Sequence, residues 1–431
     1  MNFTKAVILA AGKGKRLMPI TSSRPKPMIP IAGKPLLEYT ILGLKDAGID
    51  EILLVVGYKE NMIKEHFKNG VEKVGVKIEY ITQKEYTGTA NAANYAKDFV
   101  KDKPFLLMYG DLFVDPAIFK EIIERFNTNP TEGLMTLIEV KNPQEFGIIS
   151  LNSAGLVEKI TEKPSPELKL GNLANAGIYV FKPIIFKAIE KTKKSIRNEY
   201  EFTDSMDILI RELKGKIQGF MLKNRLWSDI GLPWQLFDAS TYVLDRIEHK
   251  ILGNIEENVH ISGKVFIGKN TNVKSGTYIE GPCYIGENCL IGPHAYLRPY
   301  TCVENNCHIG KSETKNAIIF NNSAIPHFNY VGDSIVCEKV NLGAGSKTSN
   351  LRFDNKSVKM TIDGKKIDSG RRKLGALIGP NSQVGINASI MCGKIIGENS
   401  IIGAHTLVNE DVPPNTLYYQ DPKEGIKSKK L

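Results

Sequence analysis

The 431-residue sequence contains no stretch of about 18 consecutive apolar residues, so we predict neither a membrane-spanning helix nor a membrane partner. The apolar run at its start is too short for a secretion signal, and we therefore expect a cytoplasmic protein. Its 6 cysteines all lie in the second half and none forms a C-x-x-C pair, so neither a zinc site nor a disulfide framework is expected.

The formal charge of +10 is spread along the chain, apart from a short basic tail. A nucleic-acid-binding protein normally concentrates such charge on one element, so no nucleic-acid partner is expected. A basic balance also suits an enzyme that handles phosphates.

The first half alternates short apolar runs with amphipathic segments. We predict strands at 6–9, 52–56, 78–81 and 105–109, and helices at 35–47 and 61–67. This alternation indicates an α/β fold with a mixed, mostly parallel sheet covered on both faces. Ligands of such sheets bind beyond the carboxyl ends of the strands.

The second half has a six-residue rhythm. Aliphatic residues recur in unbroken six-residue steps from Ile255 to Ile309, with a small or β-branched residue four positions after nearly all of them. No helix has this period, whereas a β-solenoid does, with glycines expected at its corners. The pattern resembles the left-handed parallel β-helix of the hexapeptide-repeat acyltransferases. Cys283, Cys289 and Cys307 fall on inward positions and are predicted to be core thiols.

These two rhythms predict the domain organisation. We expect an α/β domain at 1–232, a helical linker at 233–252, a β-helix at 253–420 and a basic tail at 421–431. A polar segment at about 343–377 interrupts the repeat, and insertions of this kind commonly carry function or contact a neighbour.

Residues 6–35 carry the most specific motif of the first half, AVILAAGKGKRLMPITSSRPKPMIPIAGKP. A strand enters a glycine-rich loop in which Gly12 and Gly14 let the backbone approach phosphates, and nearby Lys and Arg residues supply positive charge. The segment resembles the sugar-1-phosphate nucleotidylyltransferases, whose pattern is L-A-A-G-x-G-T-R-L followed by P-K-P. Lys15 stands where that family has Thr, which removes a hydroxyl near the phosphates.

Further segments match that family in the same order: QKEYTGTANA, LLMYGD, EFGII, ITEKP, NAGIYVF and WSDIG. The resemblance implies roles for individual residues. The nucleotide would be bound by Ala10, Gly12, Lys13, Gly14, Gln83, Gly88 and Thr89. The sugar phosphate would be bound by Gly147, Glu162, Lys163 and Asn175. Asp111 and Asp229 would be ligands of Mg²⁺, and Arg16 and Lys26 would be catalytic.

The chemistry accounts for these residue types. A phosphate oxygen of the sugar 1-phosphate attacks the α-phosphorus of a nucleoside triphosphate, and pyrophosphate leaves. The nucleophile is already anionic, so the difficulty is to bring two anions together. Mg²⁺ and the cations Arg16, Lys26 and Lys163 would neutralise and orient the phosphates.

The β-helix carries a second constellation. IPHFNYVGDS (325–334) and VNLGAGSKTSN (340–350) resemble the acetyltransferase half of the bifunctional enzymes that make UDP-N-acetylglucosamine. The resemblance makes His327 the general base that takes the proton of an attacking sugar amine. It implies that the amino-sugar phosphate and acetyl group contact Arg298, Lys315, Tyr330, Asn341, Asn350, Lys356 and Lys359.

The sequence therefore predicts a bifunctional enzyme that resembles an archaeal version of this family. The β-helix would acetylate glucosamine 1-phosphate, or galactosamine 1-phosphate, from acetyl-CoA, and the α/β domain would transfer a uridylyl group from UTP, or accept dTTP. The resemblance implies a homotrimer. The alternative is a glucose-1-phosphate thymidylyl- or uridylyltransferase with a structural or regulatory β-helix, and a non-catalytic regulatory subunit is disfavoured by Lys26, Asp111, Lys163 and Asp229.

Overall fold

The structure, a computed structural model, describes residues 3–168, 170–421, 423 and 425–430. It divides into two compact units. The first comprises Met1–Lys13 and Leu36–Asp229, and the second comprises Gly14–Pro35 and Ile230–Leu431. The glycine-rich loop thus passes from one unit to the other between Lys13 and Gly14.

The strands before residue 230 are β1 Lys5–Ala10, β2 Pro30–Ile31, β3 Lys34–Pro35, β4 Glu51–Val56, β5 Lys77–Thr82, β6 Phe105–Tyr109, β7 Phe113–Val114, β8 Gly133–Glu139, β9 Gly147–Leu151, β10 Val157–Glu162, β11 Leu173–Phe181, β12 Ile217–Met221 and β13 Trp227–Ser228. The helices are α1 Ile20–Ser23, α2 Leu36–Asp46, α3 Glu60–Phe67, α4 Val71–Val74, α5 Thr89–Asn94, α6 Lys97–Val100, α7 Ala117–Thr128, α8 Ile184–Lys191, α9 Phe202–Arg211 and α10 Gln235–Asp245.

The first unit is built on a mixed sheet with the strand order β10-β9-β11-β6-β1-β4-β5, and β8 and β12 extend it from β11. Strands β6, β1, β4 and β5 are parallel, whereas β11 runs antiparallel to β6. The buried strands consist almost entirely of aliphatic residues, as expected of a sheet covered on both faces. This confirms the predicted α/β class, and the predicted strands and helices agree with the observed ones to within one or two residues.

The second unit contains a parallel β-helix. Its strands are β14 Lys250–Ile251, β15 Asn254–Ile255, β16 His260–Ser262, β17 Val265–Ile267, β18 Asn272–Val273, β19 Tyr278–Glu280, β20 Cys283–Ile285, β21 Leu290–Ile291, β22 Tyr296–Leu297, β23 Cys302–Val303, β24 His308–Lys315, β25 Ile318–Ile319, β26 Ala324–Gly332, β27 Ile335–Val336, β28 Asn341–Leu342, β29 Lys347–Thr348, β30 Lys359–Ile362, β31 Lys365–Asp368, β32 Leu377–Ile378, β33 Gln383–Val384, β34 Ser389–Ile390, β35 Ile395–Ile396, β36 Ile401–Ile402, β37 Leu407–Val408, β38 Thr416–Asp421 and β39 Gly425–Lys430.

The strand register shows three hexapeptides per coil. Val265 pairs with Cys283 and Asn272 with Leu290, a step of three repeats, and each strand lies parallel to its counterpart in the next coil. The repeated aliphatic residues form one continuous core along the coils. Three faces per coil and an inward aliphatic residue on each confirm the β-helix prediction.

Two details of the β-helix differ from the prediction. Ile255 is 37% exposed, because it lies in the first coil and no earlier coil covers it. The corners are formed largely by asparagines with positive φ, such as Asn270 and Asn288, and not by glycines alone. The Asn270 amide donates to the Asn288 side-chain oxygen at 3.1 Å, so successive corners are also cross-linked. Asparagine tolerates this backbone conformation and adds the hydrogen bond that glycine lacks.

The polar excursion leaves the β-helix after Thr348. Ile335 pairs with Leu377, a far longer step than one coil, and the intervening chain forms the antiparallel hairpin β30–β31. Strand β29 lies within the predicted 343–377 segment, yet it still pairs with neighbouring coils. We refer to residues 349–376 as the excursion.

Both ends of the β-helix domain carry regular structure. Helix α10 lies in the segment expected to be a linker, and β14 already pairs with β17. In the segment expected to be a tail, β38 and β39 form an antiparallel hairpin, while residues 422, 424 and 431 lie outside the described residues. Over the described ranges, no helix has the length and apolarity needed to cross a membrane.

Glu304 is a fully buried carboxyl group in the second unit. Burial raises its pKa to about 7, against the hydrogen bond from the Gly33 N–H and the positive charge of Arg24. The other titratable groups that interact with it are Cys302, Tyr284, Cys289 and Cys307. A buried acid with a raised pKa stabilises the fold only while it is protonated.

We therefore expect Glu304 to make stability depend on pH. Its contribution is complete below about pH 4.5, declines as pH rises, and is lost above about pH 7. The total is on the order of 3 kcal/mol. Urea unfolding of wild type and Glu304→Gln from pH 5 to pH 8 measures this difference. Parallel pH profiles for the two proteins would contradict it.

Candidate functional site

The loop after β1 begins next to Asp111. Gly110 donates its N–H to the Leu9 carbonyl at 2.9 Å, and a Cβ added to Gly110 would lie 2.9 Å from the Ala10 Cβ. The parallel strands β1 and β6 therefore end at one edge of the sheet. This edge is where ligands of open α/β sheets bind.

Asp229, the second aspartate assigned to Mg²⁺, is positioned by a different pair of strands. In the antiparallel ribbon β7–β13, Ser228 pairs with Phe113. Continuing this register places Asp229 opposite Leu112, one residue from Asp111. Two carboxylates suit Mg²⁺, which prefers hard oxygen ligands and commonly takes the rest from substrate phosphates and water. Among the described residues there is no group of three or more metal-ligating side chains.

The two glycines assigned to nucleotide binding differ in their surroundings. A Cβ added to Gly12 would meet nothing within 4 Å, so open space lies beside this loop. Gly88 has φ of 128° and ψ of 173°, and an added Cβ would lie 2.4 Å from the Tyr200 carbonyl oxygen. Glycine at 88 is thus required by the protein backbone itself, a reason that the sequence did not reveal.

Three other residues assigned to nucleotide binding, Thr89, Gln83 and Lys13, have contacts within the first unit. The Thr89 hydroxyl oxygen accepts a hydrogen bond from the Phe202 N–H at 3.0 Å. Gln83 is buried directly after β5, and its N–H donates to the Val56 carbonyl at 2.8 Å. Lys13 is exposed, with its ammonium 5.5 Å from the centre of the Tyr58 ring.

We expect alanine substitutions at Gly88 and Gly12 to have different effects, the first on stability and the second on activity. Gly88→Ala should destabilise the first unit by at least about 2 kcal/mol, because alanine is strained in this backbone region and clashes with Tyr200. Gly12→Ala should leave stability unchanged and weaken nucleotidyl transfer, since the methyl group would occupy the open space. Urea unfolding and pyrophosphate release measure the two effects, and equal stability of both variants would refute the expectation.

The residues assigned to the sugar phosphate are brought together. Gly147 and Glu162 are paired in the β9–β10 register, and a Cβ added to Gly147 would lie 2.9 Å from a Glu162 carboxylate oxygen and 3.8 Å from the Asn175 Cβ. Lys163 follows directly and donates its N–H to the Phe146 carbonyl at 3.0 Å. Burial raises the pKa of Glu162, opposed by the positive charges of Arg197 and Lys163.

Arg197 belongs to this cluster but was not predicted. One guanidinium nitrogen lies 3.5 Å from a Glu162 oxygen and 2.8 Å from a Glu201 oxygen. It places a positive charge beside the carboxylate assigned to the sugar. In the sequence it stands in the segment KSIRNEY shortly before α9, and nothing in that segment matches a motif of the sugar-1-phosphate nucleotidylyltransferases.

Gly14, Arg16 and Lys26 lie in the second compact unit. Gly14 has φ of 68°, and a Cβ added to it would lie 3.1 Å from the Lys26 Cβ. Thr21 donates its hydroxyl to the Gly14 carbonyl at 2.9 Å. Arg16 is exposed in the turn Lys15–Leu17, whereas Lys26 is only 6% exposed. The loop glycine and the candidate catalytic lysine are therefore packed together.

His327 lines a groove on the β-helix with a volume of about 540 Å³. The groove is lined by Glu256, Lys274, Ser275, Leu290, Gly292, Pro293, His308, Gly310, Lys311, Pro326, His327 and Phe328. Burial, and then the nearby His327, lowers the pKa of His308. The ammonium of Lys311 lies 5.4 Å from the centre of the exposed Phe328 ring. His327 thus lies in a groove lined by basic, acidic and apolar side chains.

A polar cluster lies on the next face, beyond the corner at Phe328. The Asn350 amide donates to the Tyr330 hydroxyl at 3.2 Å and to Asp333 at 2.5 Å. The Lys315 ammonium lies 3.3 Å from the same Asp333 oxygen. Burial raises the pKa of Tyr330. Three residues predicted to bind the amino-sugar phosphate therefore lie together: Lys315, Tyr330 and Asn350. The acid between them, Asp333, was not predicted.

Arg298 joins this cluster through Glu313. Its guanidinium donates to a Glu313 oxygen at 2.9 Å, and Glu313 pairs with Tyr330 in the β24–β26 register. Glu313 and Asp333 were missed because the prediction sought cations for a phosphate. Asp333 lies inside the quoted motif IPHFNYVGDS, three residues after Tyr330, and Glu313 stands two residues before Lys315.

The remaining predicted residues lie elsewhere on the unit. Asn341 pairs with Ala324 at the start of β26. Lys356 donates its backbone N–H to Asp354 at 3.2 Å, and Lys359 begins β30. Both lysines belong to the excursion and not to a β-helix wall strand.

Known proteins match the chain in both halves. The nucleotidyl transferase family model matches residues 5–246, and the GMPPB C-terminal domain model matches residues 279–371. The bifunctional protein GlmU of Methanocaldococcus jannaschii is 44% identical over 416 residues, which cover 96% of this chain and 97% of that protein.

A second relative gives a comparable match. The bifunctional sugar-1-phosphate nucleotidylyltransferase/acetyltransferase of Sulfurisphaera tokodaii is 42% identical over 410 residues, covering 95% of this chain and 98% of that protein. Among solved structures, a UDP-glucose pyrophosphorylase aligns with a TM-score of 0.52 and 24% identity, over 57% of this chain and 100% of that chain. The structural match supports the α/β fold of the first half.

Proposed function

Since this chain belongs to the family of bifunctional sugar-1-phosphate nucleotidylyltransferases and acetyltransferases, we propose that it performs two consecutive steps of nucleotide-sugar synthesis. The first is N-acetylation of glucosamine 1-phosphate by acetyl-CoA. The second is uridylyl transfer from UTP to N-acetylglucosamine 1-phosphate, which yields UDP-N-acetylglucosamine and pyrophosphate. We further propose that it acts in the cytoplasm as a homotrimer.

One observation carries the proposal: a single chain holds two polar clusters of different chemistry. Gly147, Glu162 and Asn175 form a partly buried cluster in the first unit. Arg298, Lys315 and Tyr330 form a cluster on the β-helix around the corner from His327. A nucleotidylyltransferase with an inert β-helix needs only the first of these.

In the acetyl transfer, the sugar amine attacks the thioester carbon of acetyl-CoA. The C–N bond forms, the C–S bond breaks, and the CoA thiolate leaves. His327 takes the proton that the amine loses, and Arg298 and Lys315 bind the sugar phosphate. Glu313 and Asp333 hold these two cations in place, so the phosphate meets cations already oriented by ion pairs.

In the nucleotidyl transfer, an oxygen of the sugar phosphate attacks the α-phosphorus of UTP and pyrophosphate leaves. Lys163 and Arg197 orient the attacking phosphate, while Glu162 and Asn175 bind sugar hydroxyls. Arg16 and Lys26 neutralise the charge of the triphosphate. Asp111 and Asp229 would hold Mg²⁺, which supplies further charge neutralisation between the phosphates when bound.

A coupled assay of the purified full chain tests the proposal. Acetyl-CoA and glucosamine 1-phosphate should release free thiol, and subsequent addition of UTP and Mg²⁺ should release pyrophosphate. UTP without prior acetylation should release much less pyrophosphate. Galactosamine 1-phosphate and dTTP are run in parallel to define specificity. Pyrophosphate release from glucose 1-phosphate with no thiol release from either amino sugar would favour a nucleotidylyltransferase with a structural β-helix.

A further inference from the structure

The segment that carries Arg16 and Lys26 belongs to the same compact unit as the β-helix. The polypeptide passes from the first unit into the segment Gly14–Pro35 after Lys13, and it re-enters the first unit at Leu36. Its short elements are α1, two 3₁₀ turns and the hairpin β2–β3. It contacts the β-helix at two places.

A buried ion pair forms the first contact. An Arg24 guanidinium nitrogen lies 2.8 Å from a Glu338 carboxylate oxygen, and the two side chains are only 10% and 12% exposed. The guanidinium also lies 5.1 Å from the centre of the Phe320 ring. Glu338 follows β27, and Phe320 follows β25 in the preceding coil. Breaking such a pair leaves an uncompensated buried charge, so both partners are strongly constrained.

The turn between β2 and β3 forms the second contact. The Gly33 N–H lies 3.2 Å from both oxygens of the buried Glu304, and the Ala32 N–H donates to the Cys302 sulfur at 3.3 Å. Gly33 has φ of 82°, and a Cβ added there would lie 2.2 Å from the Tyr284 hydroxyl. This turn therefore fits against the β-helix wall with no room for a side chain.

Lys26 lies between these two contacts. It is two residues after Arg24 and seven before Gly33, and it begins the turn Lys26–Met28. Gly14 packs on its Cβ, and Thr21 closes the segment by its bond to the Gly14 carbonyl. Arg24 is only two residues from Lys26, so a displacement of the first contact is expected to shift the Lys26 backbone.

We propose that the β-helix wall is a positioning element for nucleotidyl transfer, in which Arg24, Glu338 and Glu304 hold the Gly14–Pro35 segment so that Lys26 meets the triphosphate. The inference rests on the proposed function of the first half. Arg24, Glu338 and Glu304 are positioning residues, since they act through Lys26. The β-helix then serves both reactions, one through His327 and one through its wall.

Full-length variants test this proposal. Glu338→Gln and Arg24→Met should raise the KM for UTP and lower kcat for pyrophosphate release, with a combined loss of at least about tenfold. Thiol release in the acetyl transfer should stay within twofold of wild type, and it reports that the β-helix is folded. Arg24→Lys, which keeps the charge, should recover part of the loss. Asp238→Asn removes an exposed ion pair with Arg371 in the same unit and should change neither activity.

The outcomes separate this inference from the proposed function. Wild type that releases no pyrophosphate with any sugar 1-phosphate would refute the proposed function before any variant is compared. Wild-type kinetics for both Glu338→Gln and Arg24→Met would overturn the positioning role alone. Equal loss of thiol and pyrophosphate release would also overturn it, since it would show a general structural role. If Arg24→Met does not fold, Arg24→Lys and Glu338→Gln decide by the same readouts.

Discussion

Replacing His327 with alanine is expected to reduce acetyl transfer to glucosamine 1-phosphate by about 10²–10⁴-fold, the usual contribution of a general base. The attacking amine must lose a proton as the C–N bond forms, and His327 lies in the groove around the corner from Lys315 and Tyr330. Thiol release from acetyl-CoA measures this loss. Pyrophosphate release should be unchanged.

His405→Asn is a matched control for this experiment. His405 occupies a β-helix corner with φ of 57°, a conformation that asparagine adopts readily. This variant removes an imidazole from the same domain without altering the groove, and wild-type thiol release is expected. A His327→Ala protein with wild-type thiol release would exclude the general-base role. Loss of thiol release together with a lowered melting temperature would assign His327 a structural role instead.

The β-helix could be predicted from the sequence because its core needs one aliphatic residue per face, and each face is one hexapeptide. The asparagine corners were not predicted, because a corner depends on a single residue with positive φ and several residue types adopt it. The membership of Gly14–Pro35 in the second unit was also not foreseen. Its contacts with that unit include a charge pair between Arg24 and Glu338, which are more than 300 residues apart in the chain.

Some of the site residues could likewise be predicted from the sequence, and others could not. Gly147, Glu162 and Asn175 lie on adjacent strands, so short motifs in the right order were enough to place them together. Arg197 and Glu313 could not be found in this way. Each acts by pairing with a charge on another strand or loop, and the motif of one segment does not specify its partner.

Asp111→Asn is expected to reduce nucleotidyl transfer by about 10³-fold or more, since Mg²⁺ held by Asp111 would supply several kcal/mol of charge stabilisation. Asparagine keeps the size of the side chain and removes its negative charge. The fold should therefore be retained while the affinity for Mg²⁺ falls. Pyrophosphate release titrated with Mg²⁺ should show a higher half-saturating concentration, and thiol release from acetyl-CoA should be unaffected.

Asp102→Asn provides the control that separates charge from position. Asp102 is exposed and precedes β6, whereas Asp111 follows it, so the two aspartates flank opposite ends of one strand. Loss of a negative charge at the amino end should leave the Mg²⁺ titration unchanged. An equal effect of both substitutions would mean that net charge, and not a metal ligand, governs the reaction. An Asp111→Asn protein with an unaltered Mg²⁺ titration would exclude Asp111 as a ligand and leave Asp229 as the remaining carboxylate at the sheet edge.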